Sequence, residues 1–191
     1  MRIPSNTFSR SKIFILSVCA TVFFTTYFVS TAEAREGRSE GGSNSSTVLA
    51  LDLDYVTALS EPASDSGGCG ALRIGRKLDL ILISLTPEIG GSYNRFNGSD
   101  DVRIYRGFIG GRLGLGKILE PSAFAHIGIG RLDANVVDHT APVFDAGIAL
   151  DFTLLPLINV GAQGSYNTLL AQGEHSIFNW LAFGLHVAFV F

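Results

Sequence analysis

The chain finishes on a thirteen-residue stretch, Asn179–Phe191, that reads NWLAFGLHVAFVF. Counting back from Phe191, every second side chain is large and apolar, whereas the side chains between them are smaller or polar. A repeat of two residues is typical of a β-strand, because successive side chains point to opposite faces. The stretch therefore predicts a strand with one bulky apolar face and one slim face.

The same two-residue alternation occurs in seven earlier segments, and helical periodicity is scarce after Thr47. We therefore expect an all-β chain of eight strands. The segments are Thr47–Leu59, Ala71–Leu78, Leu80–Tyr93, Tyr105–Gly116, Ser122–Arg131, Val143–Phe152, Ile158–Asn167 and Asn179–Phe191. Pro87 lies inside the third segment and lacks the backbone N–H that a strand donates, which predicts a bulge or a local break there.

The connections between these segments alternate in length and composition. Short connections are expected at Lys77–Leu80, Lys117–Pro121 and Leu154–Leu157. Longer, polar connections are expected at Ser60–Gly68, Asn94–Val102, Leu132–Pro142 and Leu170–Ile177. Consecutive antiparallel strands place alternate connections at opposite ends of a sheet, so the pattern predicts an up-and-down arrangement with both chain termini at the short-turn end.

Alternation by itself does not say whether the bulky face meets a protein core or lipid. A soluble barrel or sandwich has an apolar interior, whereas a membrane barrel has an apolar exterior. A solvent-facing slim face should be rich in lysine, but after residue 34 the only lysines are Lys77 and Lys117, both in expected short turns. Small and mutually pairing side chains suit the narrow interior of an eight-stranded barrel. We therefore interpret the slim face as a lumen.

Acids, arginines and histidines on the slim face are expected to project into this lumen. They are Asp52, Asp54, Arg73, Glu88, Arg106, Arg112, His126, Asp145, Asp151 and His186. Buried charges are costly unless they are paired, so the mixture predicts ion pairs that brace the wall from inside. The alternative is a path for protons or ions, although eight strands leave little room for a continuous water channel. We predict no catalytic, cofactor-binding or metal-binding residue.

Tyrosines mark one end of the bulky face. Tyr55, Tyr93, Tyr105 and Tyr166 all lie on this face, near the long-loop end of their strands. Amphipathic rings at a shared height are typical of the girdle that a barrel places at the membrane–water interface. Trp180 lies on the slim face, so either its ring points inward or a bulge precedes Leu181.

The N-terminal segment has the features of an export signal. Three basic residues precede an apolar run at Ile13–Val29, and Ala32 and Ala34 form an Ala-x-Ala site. We expect a signal peptide over residues 1–34 and a flexible leader over residues 35–46, with the barrel over residues 47–191. An uncleaved membrane anchor is the alternative for the apolar run.

Composition excludes several classes of protein. The formal net charge is −3, and no basic patch indicates binding to nucleic acid. Cys69 is the only cysteine after residue 34, which leaves no partner for an internal disulfide and no cysteine-based zinc site.

These features together resemble the small outer-membrane barrels of Gram-negative bacteria, of the OmpA transmembrane-domain and OmpX type. The resemblance covers Thr47–Phe191 as architecture rather than as close sequence identity. It implies a monomer surrounded by outer-membrane lipid, with the termini in the periplasm and four loops outside. It also implies that Phe189 and Phe191 form the C-terminal signal that the barrel-assembly machinery reads.

The expected function is structural or adhesive, through the four long loops, with no ligand indicated. A competing hypothesis is an enzyme that modifies outer-membrane lipid. The resemblance to a lipid A deacylase would require a His-x-Ser pair on the lipid-facing side, and the segment His126–Gly128 lacks the serine and lies on the slim face. A narrow pore and a soluble periplasmic barrel are two more competing hypotheses.

Overall fold

The computed structural model describes residues 44–60, 65–80, 82–97, 101–134, 138–155, 157–170 and 177–191. These residues form one closed barrel of eight antiparallel strands, each paired with its neighbours in sequence. The strands are β1 (Asn44–Ala58), β2 (Ser66–Leu80), β3 (Ile83–Phe96), β4 (Arg103–Leu115), β5 (Leu119–Asp133), β6 (Asp138–Leu155), β7 (Ile158–Leu169) and β8 (Phe178–Val190). The predicted up-and-down, eight-stranded architecture is confirmed.

Two predictions concern residues without a described structure. The predicted signal peptide, residues 1–34, and residues 35–43 of the predicted leader lie outside the described part of the chain. In the part that is described, no helix has the length and apolar character needed to cross a membrane.

The barrel closes by pairing its first strand with its last. β1 lies antiparallel to β8 from Val48 opposite Val190 to Ala58 opposite Trp180. Beyond this ladder, the Phe191 N–H donates to the Thr47 carbonyl at 2.9 Å and the Thr47 N–H donates to the Phe191 carbonyl at 2.6 Å. Closure leaves no open sheet edge, which is a requirement for strands in a lipid environment.

The strands are longer, and the loops shorter, than the sequence predicted. β2 takes in part of the expected loop Ser60–Gly68 and all of the expected turn Lys77–Leu80. Only residues 134–137 separate β5 from β6, so most of the expected loop Leu132–Pro142 is strand. β1 begins three residues before the expected start at Thr47. These boundaries were wrong because backbone hydrogen bonds continue through polar residues, after the apolar alternation has stopped.

Two irregularities interrupt the ladders. Pairing between β2 and β3 breaks beside Pro87 and then resumes in the same register. The predicted local break is therefore present, because proline has no N–H to donate there. A register shift that the sequence did not predict occurs between Thr153 and Leu155 of β6, where this strand pairs with β7.

The bulky face forms an apolar band on the outside of the barrel. Exposed side chains in this band include Leu51, Leu72, Ile109, Ile127, Ile148 and Leu185, from six different strands. A soluble monomer rarely exposes a contiguous apolar patch larger than about 300–600 Å². An apolar exterior around a charged interior is the pattern of a transmembrane barrel, and it contradicts the soluble alternative, which requires an apolar interior.

Candidate functional site

The structure places the ten ionisable residues of the slim face inside the barrel. Eight are buried: Asp52, Arg73, Glu88, Arg112, His126, Asp145, Asp151 and His186. The remaining two, Asp54 and Arg106, are partly buried. Each is held by a strand whose neighbouring residues point outward to the apolar band, so the backbone alternation itself directs these charges inward.

Arg73 on β2 forms hydrogen bonds with side chains on both neighbouring strands, β1 and β3. Its guanidinium donates to both carboxylate oxygens of Asp52, from Nε at 2.7 Å and from Nη2 at 2.8 Å. Its Nη1 donates to Oε2 of Glu88 on β3 at 2.6 Å. The side chains of all three residues are at most 6% exposed. A two-pronged arginine–carboxylate pair of this kind has both strength and a defined geometry.

His126 continues the chain of contacts across the lumen. Its Nε2 lies 2.7 Å from Oε1 of Glu88, and its Nδ1 lies 2.7 Å from Oδ2 of Asp145. Only a doubly protonated ring can donate to both carboxylates. The second oxygen of Asp145 accepts from Nη1 of Arg106 at 2.8 Å, and the same nitrogen donates to Asn167 at 2.8 Å. We call the linked residues Asp52, Arg73, Glu88, His126, Asp145, Arg106 and Asn167 the lumen network.

A second group of charges lies nearer the short-turn end. Arg112 approaches Asp151 at 3.4 Å and Ser122 at 3.3 Å, and His186 is hydrogen-bonded to Asp151. Two nitrogens of Arg112, Nε and Nη2, are buried without a hydrogen-bond partner in the structure. A cavity of about 40 Å³ lies against this arginine and His186, which is room for water but not for a larger solute.

The sequence interpretation missed an ion pair in this region. Lys77 and Glu120 were expected in short turns, but Lys77 lies in β2 and Glu120 in β5, and their side chains meet at 2.5 Å. Glu120 also accepts a hydrogen bond from Ser84. The positions of Lys77 and Arg73, four residues apart on one strand, share a face, so correct strand boundaries would have revealed the lysine as inward-facing.

Aromatic rings fill the space beside the arginines, and the sequence interpretation did not identify them. The Arg106 guanidinium lies 5.0 Å from the ring centre of Phe108, and that of Arg112 lies 4.9 Å from the ring centre of Phe124. Both rings also flank His126, at centroid distances of 4.7 and 5.4 Å. A cation above an aromatic face is attracted by the ring's negative quadrupole, so these contacts stabilise charges that have left water.

Inward-facing glycines make room for the larger groups. A side-chain carbon on Gly161 would lie 2.6 Å from both the Asp151 carboxylate and the His186 ring. The same carbon on Gly110 would lie 2.1 Å from the Ala125 carbonyl oxygen and 2.5 Å from the His126 ring. Such distances are too short for real contacts, so glycine at these positions allows the histidines to occupy the lumen.

The loop end of the lumen is apolar, and the sequence analysis did not predict an apolar layer inside the barrel. We call the buried residues there the loop-end cluster: Val56, Cys69, Phe96, Val102, Ile104, Leu132, Ala141, Val143, Leu169, Phe178, Trp180 and Ala182. The Trp180 ring points inward, stacks on Phe178 at 5.5 Å and is 0% exposed. The inward alternative for Trp180 is therefore the one that the structure shows. The apolar side chains of this cluster lie between the lumen network and the loops, and they close the loop end of the lumen.

The outer rim at the loop end carries the four tyrosines and a group of charges. Tyr55, Tyr93, Tyr105 and Tyr166 are all exposed on the outside, each two or three residues from the loop end of its strand. The rings of Tyr93 and Tyr105 pair at 5.0 Å between β3 and β4. Beyond them, hydrogen bonds from Arg103 and Arg95 to Asp101 hold the pKa of that exposed carboxyl below its ordinary value.

Within the described residues, no group of three or more histidine, cysteine, aspartate or glutamate side chains is arranged to hold a metal ion. The phenyl groups of Phe189 and Phe191 are exposed on the outside, at the short-turn end of β8. The lumen therefore offers paired charges and small cavities, and the exterior offers an apolar band with a polar, charged rim.

No family model and no curated protein sequence matches the chain. Solved structures do. Neisserial surface protein A is 14% identical with a TM-score of 0.64, over 78% of this chain and 99% of that one. Ail, the attachment invasion locus protein of Yersinia pestis, is 9% identical with a TM-score of 0.51, over 78% and 99%. The outer membrane enzyme PagL is 13% identical with a TM-score of 0.50, over 75% and 97%.

At these identities the likeness establishes the fold alone. The chain has the fold of the small eight-stranded outer-membrane barrels, as the sequence resemblance implied. Because an enzyme shares this fold with surface proteins, the function must be argued from the residues.

Proposed function

We propose that the protein is a monomeric outer-membrane barrel that does not conduct and that presents its loop end as an interaction surface. One observation carries the proposal: the lumen is filled at two levels, by the lumen network and by the loop-end cluster above it. A filled lumen leaves the loops and the outer wall as the surfaces at which other molecules can bind.

A pore is less favoured by the filled lumen. Solute would have to pass between Trp180 and the apolar side chains around it in the loop-end cluster, and then displace paired charges such as Glu88 and His126. We expect purified protein in planar lipid bilayers to give no discrete current steps. Steady open-channel currents, abolished when the protein is left out, would refute the closed lumen.

The positions of the two lumen histidines do not favour an enzyme that acts on lipid. His126 and His186 are 6% and 3% exposed and bind carboxylates within the lumen, so neither can reach a lipid outside the barrel. Overexpression is therefore expected to leave the mass spectrum of outer-membrane lipid unchanged. A new lipid species that disappears in the His126→Ala variant would contradict this expectation.

Location and closure can be tested in one measurement. A closed barrel in the outer membrane should be extracted from that fraction with detergent and should migrate faster on a gel before boiling than after. Release of the protein by osmotic shock, or equal migration of both samples, would contradict the proposal.

The interaction surface can be tested through the loops. Outer-membrane vesicles carrying the protein should bind to cultured epithelial cells, and binding should fall when residues 171–176 are replaced by a Gly-Ser segment of equal length. The control replaces Lys117, which lies in a short turn at the opposite end, with Gln. Equal binding by all three kinds of vesicle and by vesicles without the protein would overturn the adhesive role.

The exposed C-terminal aromatics support a role in assembly. Phe191 pairs with Thr47 through backbone atoms only, so its ring is free of the closing ladder. Phe191→Ala should therefore slow insertion by the barrel-assembly machinery in cells, while refolding of the purified chain in detergent stays close to wild type. Equal insertion rates in cells would remove the support for an assembly signal.

A further inference from the structure

We propose that Arg95, Arg103 and Arg131 form a binding site for the phosphate groups of lipid in the leaflet around the loop end. The inference rests on the proposed function only for the orientation of the barrel in the membrane, with the loop end facing the outside of the cell. In this proposal, the charged residues at the loop end of β3, β4 and β5 bind phosphorylated lipid.

The three arginines lie side by side on the outer wall. Arg95 is directly opposite Arg103 in the β3–β4 ladder, and Arg131 is opposite Tyr105 in the β4–β5 ladder. Because neighbouring strands are about 4.8 Å apart, the three side chains emerge from a strip about 10 Å wide. All three share the outward face with the apolar band, and their side chains are 54%, 40% and 46% exposed.

Their height matches the lipid headgroups. Arg95 and Arg103 are each two residues beyond a ring of the Tyr93–Tyr105 pair, which is about 7 Å along a strand. Tyrosine rings of this kind mark the boundary between acyl chains and headgroups. The guanidinium groups are therefore placed among the headgroups, where lipid phosphates lie, and their charge is complementary to phosphate.

The arrangement is restricted to one side of the barrel. The outward residues at a similar height on β1, β7 and β8 are neutral: Thr57, Thr168 and Asn179. Of the remaining arginines that the structure describes, three face the lumen, and Arg76 faces outward at the short-turn end. A general preference for positive charge at the rim would distribute it around the circumference, so the one-sided strip indicates a site.

Present contacts leave the arginines available. Asp101 bridges Arg95 and Arg103 and relieves the repulsion between two like charges placed directly opposite each other. It does so from a left-handed backbone conformation, with φ of 41°. Arg131 is paired with Asp138, and both side chains are about half exposed.

Phosphate can replace these aspartates at low cost. Ion pairs between exposed side chains contribute little to stability, because water and salt screen them. A phosphate group offers up to three acceptor oxygens and as much as two negative charges to the arginine donors, against two oxygens and one charge for a carboxylate. A third acid, Asp133, lies directly opposite Arg103 in the β4–β5 ladder, so three acids balance the three arginines when no lipid is bound. On binding, the arginines exchange a weak partner for a stronger one.

The test uses the purified full-length protein in phosphatidylcholine nanodiscs that contain a small fraction of bisphosphorylated lipid A. A parallel set contains lipid A from which both phosphates have been removed. Lipid that stays on the protein after mild detergent release is counted by native mass spectrometry. Wild-type protein should retain the phosphorylated lipid and not the dephosphorylated one.

Substitutions test whether Arg95, Arg103 and Arg131 are responsible for lipid retention. Each of Arg95→Gln, Arg103→Gln and Arg131→Gln should lower retention roughly threefold to fivefold, since one interfacial basic residue has a modest effect. The triple variant should lower it at least about tenfold. Arg76→Gln is the matched control, because it removes an outward arginine from the opposite end, and it should retain lipid like wild type.

The substitution Asp101→Asn should raise the retention of phosphorylated lipid, whereas the arginine substitutions lower it. Asparagine tolerates the left-handed conformation, so the backbone is preserved while the competing charge is removed. Retention of phosphorylated lipid should rise severalfold. A fall would mean that Asp101 holds the rim for a structural reason, and would count against the site.

The proposal is overturned if the triple variant retains as much phosphorylated lipid as wild type, or if the dephosphorylated lipid binds equally well. Faster migration of unboiled samples confirms that each variant is folded, and the single variants decide the question if the triple variant is not. Lipid retention by a protein that does not fractionate with the outer membrane would refute the proposed function and leave the site intact.

Discussion

The barrel contains two arginine–aspartate ion pairs that differ mainly in burial. The same substitution in each pair can therefore measure how burial affects stability. Inside, Arg73 donates two hydrogen bonds to Asp52 at 2.7 and 2.8 Å. Outside, Arg131 donates two to Asp138 at 3.0 and 2.6 Å. The Asp52 side chain is 3% exposed and that of Asp138 is 52% exposed. We compare Asp52→Asn with Asp138→Asn.

The two substitutions should have unequal effects on the free energy of unfolding. A hydrogen bond to a charged group contributes about 1.5–3 kcal/mol and one between neutral groups about 0.5–1.5 kcal/mol. Asp52→Asn loses one hydrogen bond to a charged carboxylate and keeps at most one weaker bond, from the charged Arg73 guanidinium to the neutral amide oxygen, which predicts a loss of about 2–4 kcal/mol. The lower half of this range is favoured, because the substitution also removes repulsion with Asp54. Asp138→Asn should cost less than about 1 kcal/mol.

The assay is urea-induced unfolding of protein refolded into lipid vesicles, with the folded fraction read from unboiled gel mobility at neutral pH. A difference of about 2 kcal/mol changes the ratio of folded to unfolded protein roughly 30-fold, well beyond the error of such a gel. Equal losses for the two variants, within about 0.5 kcal/mol, would refute the argument that burial strengthens the lumen network.

Three further predictions concern different parts of the barrel. Gly161→Ala should destabilise the fold by about 1–3 kcal/mol in the same assay, because the added carbon meets Asp151 and His186. Trp180→Ala should cost about 3–5 kcal/mol by opening a cavity in the loop-end cluster; an unchanged midpoint would show that the cluster is loosely packed. The Asp101 carboxyl, followed by NMR, should titrate below the ordinary aspartate pKa of about 3.9. Its contribution to stability is therefore present above that pH and is lost as the pH falls through the lower value.

The strand faces were predictable because they depend on local geometry. Alternation between bulky and slim side chains is a property of neighbours in sequence, so Leu51 and Asp52 could be assigned to opposite faces without knowing their partners. Eight repeats of the pattern then predicted the number of strands. The tyrosines followed from the same reasoning, since each lies at one end of a bulky face.

The strand ends were less predictable. Ser66 and Gly67 resemble loop residues, but they pair with β1 and β3 as strand residues. Residue type indicates the surroundings of a side chain. Strand length depends instead on backbone hydrogen bonds, which any residue can accept and any residue except proline can donate. The displaced boundaries also hid the ion pair between Lys77 and Glu120.

The sequence by itself determined which side chains face lipid and which face the lumen, because that choice is made residue by residue along each strand. Only the tertiary structure decided which side chains meet inside. Closure and stagger set the height of every strand, and this brings Glu88, His126 and Asp145 to one level and collects Trp180 and Phe96 at another. The position of a residue along the barrel axis, relative to residues of other strands, depends on the register of all eight strands. No single segment of sequence therefore determines it.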